Sequence, residues 1–216
     1  MRIGIELNGI VRDVNKQVIK YYKKDINQGF DDKKVNYNVL NIIDSLDLKS
    51  KKAKFDFMYV DYPYEIFGCA PTMDRHLAVT INNWIISLNN REDDTYEIKM
   101  FSLKEEGLSI QSTYYFLSKI GCRVREMFFP KDGLNMWDKC DVIITTNERI
   151  IANKPEGKKV ILINKDDISN DLKEMADYNY NSLMELITDD AFIDKVKVIK
   201  ENKKGFFSKI KTLFKK

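Results

Sequence analysis

The stretch MRIGIELNGIVRD (residues 1–13) starts with a short apolar run, closes it on an acid at Glu6, and breaks at Asn8-Gly9. A run of that length ended by a turn pair is the pattern of a buried parallel strand that hands its tip to a loop. Asp13 to Lys24 follows with Val14, Val18 and Tyr21 or Tyr22 on one face, which predicts a helix. Strand, polar turn and helix in that order open an α/β fold.

The alternation returns beyond residue 95. Strands are predicted over 96–103, 123–129, 141–145 and 159–164, with a helix over 109–120. Strands separated by helical stretches call for a parallel sheet with helices on both faces, whose ligands sit beyond the carboxyl ends of the strands. The residues at those ends are Glu6, Asn8, Ser102, Lys131, Thr145 and Thr146. Between the two regular regions lie the aromatic-rich FDFMYVDYPYEIFGCAP and a helical stretch with Leu77, Ile81, Trp84, Ile85 and Leu88 as its stripe. The expected organisation is a core of 1–26 and 95–190, a cap-like insertion over 27–94 that packs on it, and a tail over 191–216.

Composition narrows the function classes. With 44% hydrophobic residues the chain can bury a core. It has no run of about 18 apolar residues and no apolar signal-peptide core, so it is read as intracellular, or at least made in a cytoplasm. Cys69, Cys122 and Cys140 lack close spacing and suggest reduced core residues rather than a zinc site or disulfides. His76 is the single histidine, which excludes His-rich metal sites. Asp132 and Asp138 have no feature that fixes them near Glu6, and Asp166 and Asp167 suit a helix cap after a strand. From Lys195 onward there are nine lysines against one acid, Glu201, so +8 sits there and the other 194 residues carry −5 of the total +3. The basicity belongs to the tail, and specific nucleic-acid binding is not indicated.

The order of strand-end residues resembles the haloacid dehalogenase-like (HAD) superfamily, in particular its nucleotidase-like members, over roughly residues 1–170. In that family the first strand ends Asp-x-Asp-Gly, the second ends in Ser or Thr, a Lys lies farther along, and a later strand ends in paired acids. The corresponding positions here are Glu6-Leu7-Asn8-Gly9, Ser102 in KMFSL, Lys131 in FFPKDG with Lys139 nearby, and Thr145-Thr146 in CDVIITTNERI. The resemblance implies a Rossmann-like three-layer, HAD-type parallel sheet with an inserted cap-like region.

Each departure from the family pattern removes a chemical capacity. A Glu in place of the attacking Asp is one methylene longer, in chemistry where a shift of about 1 Å costs about a hundredfold. Asn8 carries a carboxamide that cannot shuttle a proton near neutral pH. Thr145 and Thr146 offer neutral hydroxyls where Mg²⁺ prefers oxyanions. Ser102 and Lys131 remain suited to gripping a phosphate. Glu6 equally suits a strand-end carboxylate satisfied by neighbouring donors, and Asn8-Gly9 a plain turn.

In the tail GFFSKIKTLFKK, Phe206, Phe207, Ile210, Leu213 and Phe214 follow helical spacing with lysines around them, which predicts a basic amphipathic helix. Such a helix docks on a partner protein, folds back on its own domain, or lies on an anionic membrane. The expected function is therefore non-catalytic. The chain is read as a HAD-like pseudoenzyme without cofactor or metal, acting as an interaction protein in a homo-oligomer or larger assembly with other subunits. Its Lys-, Asn-, Ile- and Tyr-rich composition suits an AT-rich genome, and the chain resembles a virion component of crAss-like phages, a ring protein of the neck or tail. The alternatives are a divergent Mg²⁺-dependent phosphatase or 5'-nucleotidase using Glu6, and a phosphate- or nucleotide-binding protein without turnover.

Overall fold

The computed structural model describes residues 1–91 and 95–197. Six strands, β1 (Arg2–Glu6), β2 (Glu97–Phe101), β3 (Glu126–Phe128), β4 (Val142–Thr145), β5 (Lys159–Ile163) and β6 (Tyr178–Tyr180), form one sheet in the order β3-β2-β1-β4-β5-β6. Every neighbouring pair is parallel. The helices are α1 (Val14–Tyr21), α2 (Lys51–Asp56), α3 (Leu77–Asn89), α4 (Leu108–Lys119), α5 (Met136–Lys139), α6 (Glu148–Ala152), α7 (Asn170–Met175) and α8 (Leu183–Thr188). This is the expected α/β architecture, a Rossmann-like three-layer fold. Among the described residues, no helix is long and apolar enough to cross a membrane.

Side-chain alternation along the strands sorts the core into two faces. Ile3, Ile5, Ile98, Met100, Val142, Ile144, Ile161 and Ile163 point to one face, where α3, α4 and α8 cover them. Ile143, Val160, Leu162 and Phe101 point to the other, under α5, α6 and α7. Gly4 belongs to that second face, because a Cβ there would lie 2.7 Å from the Cys140 sulfur. Gly4→Ala is accordingly expected to cost about 1–3 kcal/mol through overpacking of the central strand. Urea unfolding of Gly4→Ala beside Gly4→Ala/Cys140→Ala checks this, since removing the sulfur should return part of the loss.

The insertion has different borders from those expected. Asp13 N–H donates to the Pro71 carbonyl and Met73 N–H to the Val11 carbonyl, both at 2.9 Å, and an antiparallel bridge joins Arg12 to Thr72. These contacts zip the two ends of an excursion that runs from about residue 14 to about residue 70. Inside it, Val14, Val18, Ile19 and Tyr22 of the first helix pack with Ile42, Leu46, Phe57, Ile66 and Phe67 in a hydrophobic cluster of their own. Helix α1 thus belongs to the excursion rather than to the core of 1–26. Conversely α3, placed in the insertion by its sequence position, lays Leu77, Ile81, Trp84, Ile85 and Leu88 on the sheet and is part of the core. Three segments of the excursion, Tyr22–Ile26, Phe57–Asp61 and Tyr64–Gly68, wind as π-helical turns, which explains its irregular hydrophobic spacing.

The core also extends past residue 190. Phe192, Ile193 and Val196 are buried with α3 and α8, so the border drawn at 191 falls inside the packed domain. The predicted tail helix, with Phe206, Phe207, Ile210, Leu213 and Phe214, lies outside the described residues.

Candidate functional site

The chain builds β1, β2 and β3 outward to one side and β4, β5 and β6 outward to the other, so the order reverses between β1 and β4. The crevice beyond the carboxyl ends of those two strands is where open parallel sheets place their ligands. Pairing of Ile5 with Ile144 sets Glu6 beside Thr145 on the same face. Glu6 Oε2 accepts hydrogen bonds from Thr145 Oγ1 (2.6 Å), the Thr146 N–H (3.0 Å) and Thr146 Oγ1 (3.3 Å). All three donors reach the same oxygen.

Burial pushes the Glu6 carboxyl above its ordinary value, with the hydrogen bonds from Thr145 and Thr146 and the charge of Lys165 pulling the other way. A carboxyl raised in the folded state lends stability that is complete below the unfolded value, about pH 4. That contribution is lost as pH rises through the folded value. Glu6→Gln, whose amide oxygen can still accept from Thr145 and Thr146, is expected to flatten this part of the stability curve. Urea unfolding of both proteins at about pH 4 and about pH 7 measures it. An identical pH slope in the two proteins would show that Glu6 titrates as it does when unfolded.

Next to this pair the sequence builds a second buried polar cluster. The loop turns back on itself after β1, with the Val11 and Arg12 N–H groups both donating to the Leu7 carbonyl. Gly9, at φ +75, donates its N–H to the Arg12 carbonyl at 2.9 Å, in a backbone conformation that favours glycine. The turn drives Arg12 inward, where it is 0% exposed. Its guanidinium forms an ion pair with Glu105, itself buried, in the loop after β2. It also donates to Asn8 Oδ1 (2.9 Å from Nε), the Phe67 carbonyl (3.0 Å) and Thr113 Oγ1 (2.6 Å). Phe67 and Phe116 lie against it, 5.1 and 5.4 Å from the guanidinium carbon to the ring centres. Burial lowers the Arg12 pKa and the charge of Glu105 opposes that; a guanidinium remains charged throughout.

Ser102 and Asn8 are consumed by this cluster. The Ser102 hydroxyl donates to Glu105 Oε1, as Thr113 does to Oε2. Asn8 Nδ2 donates to Ser102 Oγ at 2.9 Å while Asn8 Oδ1 accepts from Arg12. Glu105 also holds a phenol at a distance: burial first, then the Glu105 charge, push Tyr59 up to about 12.

Beyond Glu6 a cleft of about 560 Å³ opens between the strand ends and the excursion. Its walls carry four carboxylates, Glu6, Asp44, Glu148 and Asp167, against three cations, Lys104, Arg149 and Lys165. One side is apolar, with Val14, Val18, Ile42 and Met58. Lys165 enters from the end of β5 and is 4% exposed. Burial lowers its pKa, and the charges of Asp13, Asp167, Asp166 and Glu6 oppose the shift.

The structure therefore brings Glu6, Thr145 and Thr146 into contact and sets Asn8 beside them at the cleft. It separates the two expected phosphate-gripping residues, because Ser102 is buried in the Arg12 cluster and Lys131 is an exposed loop residue that does not line the cleft. Asp166 and Asp167 do not cap the next helix. Ser169 caps it, Asp166 accepts from Asn36 and Asn38, and Asp167 accepts from the Leu40 N–H. The donor set does not fit the Mg²⁺ of the enzymatic alternative, since Glu6 faces hydroxyls and an N–H rather than further oxyanions. Among the described residues, no group of three or more His, Cys, Asp or Glu is placed to hold a metal ion. Arg12, Glu105, Thr113 and Lys165 are not singled out by the sequence; the one signal for the first is an arginine set directly after the apolar pair Ile10-Val11.

Fold and site together define an α/β protein with a parallel sheet whose switch-point crevice is floored by hydroxyl-to-carboxylate bonds and flanked by a buried Arg–Glu cluster. The sequence matches no protein-family model and no curated protein.

Proposed function

We propose that this chain is a non-catalytic, HAD-like scaffold that acts by binding other protein subunits. The observation that carries the reading is the Arg12–Glu105 cluster, which uses Ser102 and Asn8 as internal hydrogen-bond partners at the positions where the resembling family handles phosphate. A group held in a saturated, buried network is unavailable for transition-state contacts. Interaction is supported by an exposed apolar band on α4 and the excursion. Leu108, Tyr114, Tyr115 and Tyr64 are each 46–56% exposed, with the Tyr64 ring tilted against Tyr115 at 5.1 Å and Tyr114 edge-on to Phe129 at 5.7 Å. The assembly we propose is a ring of a phage neck or tail of the crAss-like kind, closed by two different surfaces on each copy. Sedimentation of the full chain over rising concentration, beside a Tyr64/Tyr114/Tyr115→Ser variant, tests it. A large species lost in the variant is expected. A monomer at every concentration, alone and with co-expressed neighbouring subunits, contradicts it.

A further inference from the structure

Two buried groups of opposite charge share the cleft without meeting. Glu6 is 6% and Lys165 4% exposed, and among the described residues no ion pair or hydrogen bond ends on the lysine ammonium. The carboxylates whose charge acts on Lys165 are all engaged elsewhere. Asp13 caps α1 through the Lys16 N–H (3.0 Å), Asp166 accepts from Asn36 and Asn38, Asp167 from Leu40, and Glu6 from Thr145 and Thr146. Yet Lys165 reaches the strand tip, since its Cε would lie 3.8 Å from a Cβ on Gly9. The Lys165 ammonium is not a fully buried unpartnered atom, so it meets water at the cleft, and a ligand carboxylate can take the place of that water in a charge-assisted hydrogen bond.

We propose that the cleft receives a small zwitterion of the amino-acid class with an apolar side chain, its carboxylate on Lys165 and its ammonium on Glu6. The side chain lies along Val14, Val18, Ile42 and Met58, where its burial contributes affinity. Charge balance favours this class over a phosphate. The cleft carries four carboxylates against three cations, so a phosphate dianion meets repulsion beside Glu6, whereas a zwitterion adds no net charge. Glu6 has room for a donor because its three bonds all fall on Oε2. This goes beyond the scaffold reading and stands apart from it, since Ser102, Arg12 and Glu105 do not line the cleft.

Calorimetric titration of the full chain with L-leucine and L-methionine tests the proposal, with isocaproate and isoamylamine as analogues that each lack one charge, and inorganic phosphate as a plain anion. The zwitterions are expected to bind, and each single-charge analogue to bind at least about tenfold more weakly, the loss of one charged hydrogen bond. Lys165→Met and Glu6→Gln are expected to weaken L-leucine binding by at least the same factor. Their unfolding midpoints show whether they are folded, and the analogue series decides the matter without them. No heat with either amino acid at millimolar concentration overturns the proposal. So does phosphate binding in preference to them, or analogues that bind as well as the parent.

Discussion

Arg12→Met is expected to lower folding stability by about 3–5 kcal/mol, the loss seen when one partner of a buried ion pair is removed. The physical reason lies in what remains. Glu105 would keep its place with hydroxyl donors from Ser102 and Thr113 but no counter-charge, and the Asn8 and Phe67 carbonyl oxygens would lose a donor. Phe67 and Phe116 would also lose the guanidinium packed between them. The double variant Arg12→Met/Glu105→Met removes both charges, and apolar side chains of similar volume often replace a buried pair at little cost. It should be less destabilised than the sum of its single variants by about 0.5–3 kcal/mol. Urea unfolding of the four proteins in this cycle gives that coupling directly. Additive losses would mean that the two side chains act independently, and the cluster could not then be what organises the strand ends.

Phe192→Ala is expected to cost about 3–5 kcal/mol, as for a fully buried aromatic in a well-packed core. Phe192 is 1% exposed and its ring lies 5.9 Å from that of Trp84 on α3. The segment is also tied to β6 and α8 by polar contacts. Tyr178 donates to the Lys195 carbonyl at 3.2 Å, and Asp189 accepts from Tyr180 at 2.5 Å and from Lys195 at 2.6 Å. A chain ended at residue 190 should therefore be strongly destabilised, by loss of Phe192, Ile193 and Val196 together. A chain ended at residue 197 retains these three side chains and should unfold at a clearly higher temperature than the chain ended at 190. Thermal unfolding of the two truncations measures what residues 191–197 contribute. Equal midpoints would put the border at residue 191, the start of the tail expected from the sequence.

These two sites show what the sequence could and could not reveal. The central strands were legible because IGIE, EIKMF, VIIT and KVILI are apolar runs of strand length that alternate between the two faces of a buried sheet. The sixth strand, Tyr178–Tyr180, was missed because three residues with a polar centre at a sheet edge carry no period. The apolar stripe of α1 is legible in the sequence, but periodicity says only that a face is buried and not which core buries it. The contact between Arg12 and Glu105 spans 93 residues, and the Arg12-Asp13 pair and the KEEG stretch each look like a solvated turn. Lys165 was hidden in the same way by the adjacent Asp166 and Asp167. The strand-end residues Glu6, Asn8, Thr145 and Thr146 were found because topology fixes where such residues meet. What they bond to was not legible, because the partners come from loops.

The same geometry underlies the proposed scaffold reading. A turn built on Gly9 sends Arg12 inward, and Arg12 gathers Glu105, Ser102 and Asn8 into one hydrogen-bonded cluster. The cleft that remains is framed by Glu6 and Lys165, a different pair with different chemistry.

The most direct test of the scaffold reading is hydrolysis of a broad panel of phosphate monoesters and nucleotides by the purified full chain with Mg²⁺, paired with Glu6→Gln. The predicted result is no turnover above buffer by either protein. Turnover by the parent chain that disappears in Glu6→Gln would contradict it and make this crevice an active site.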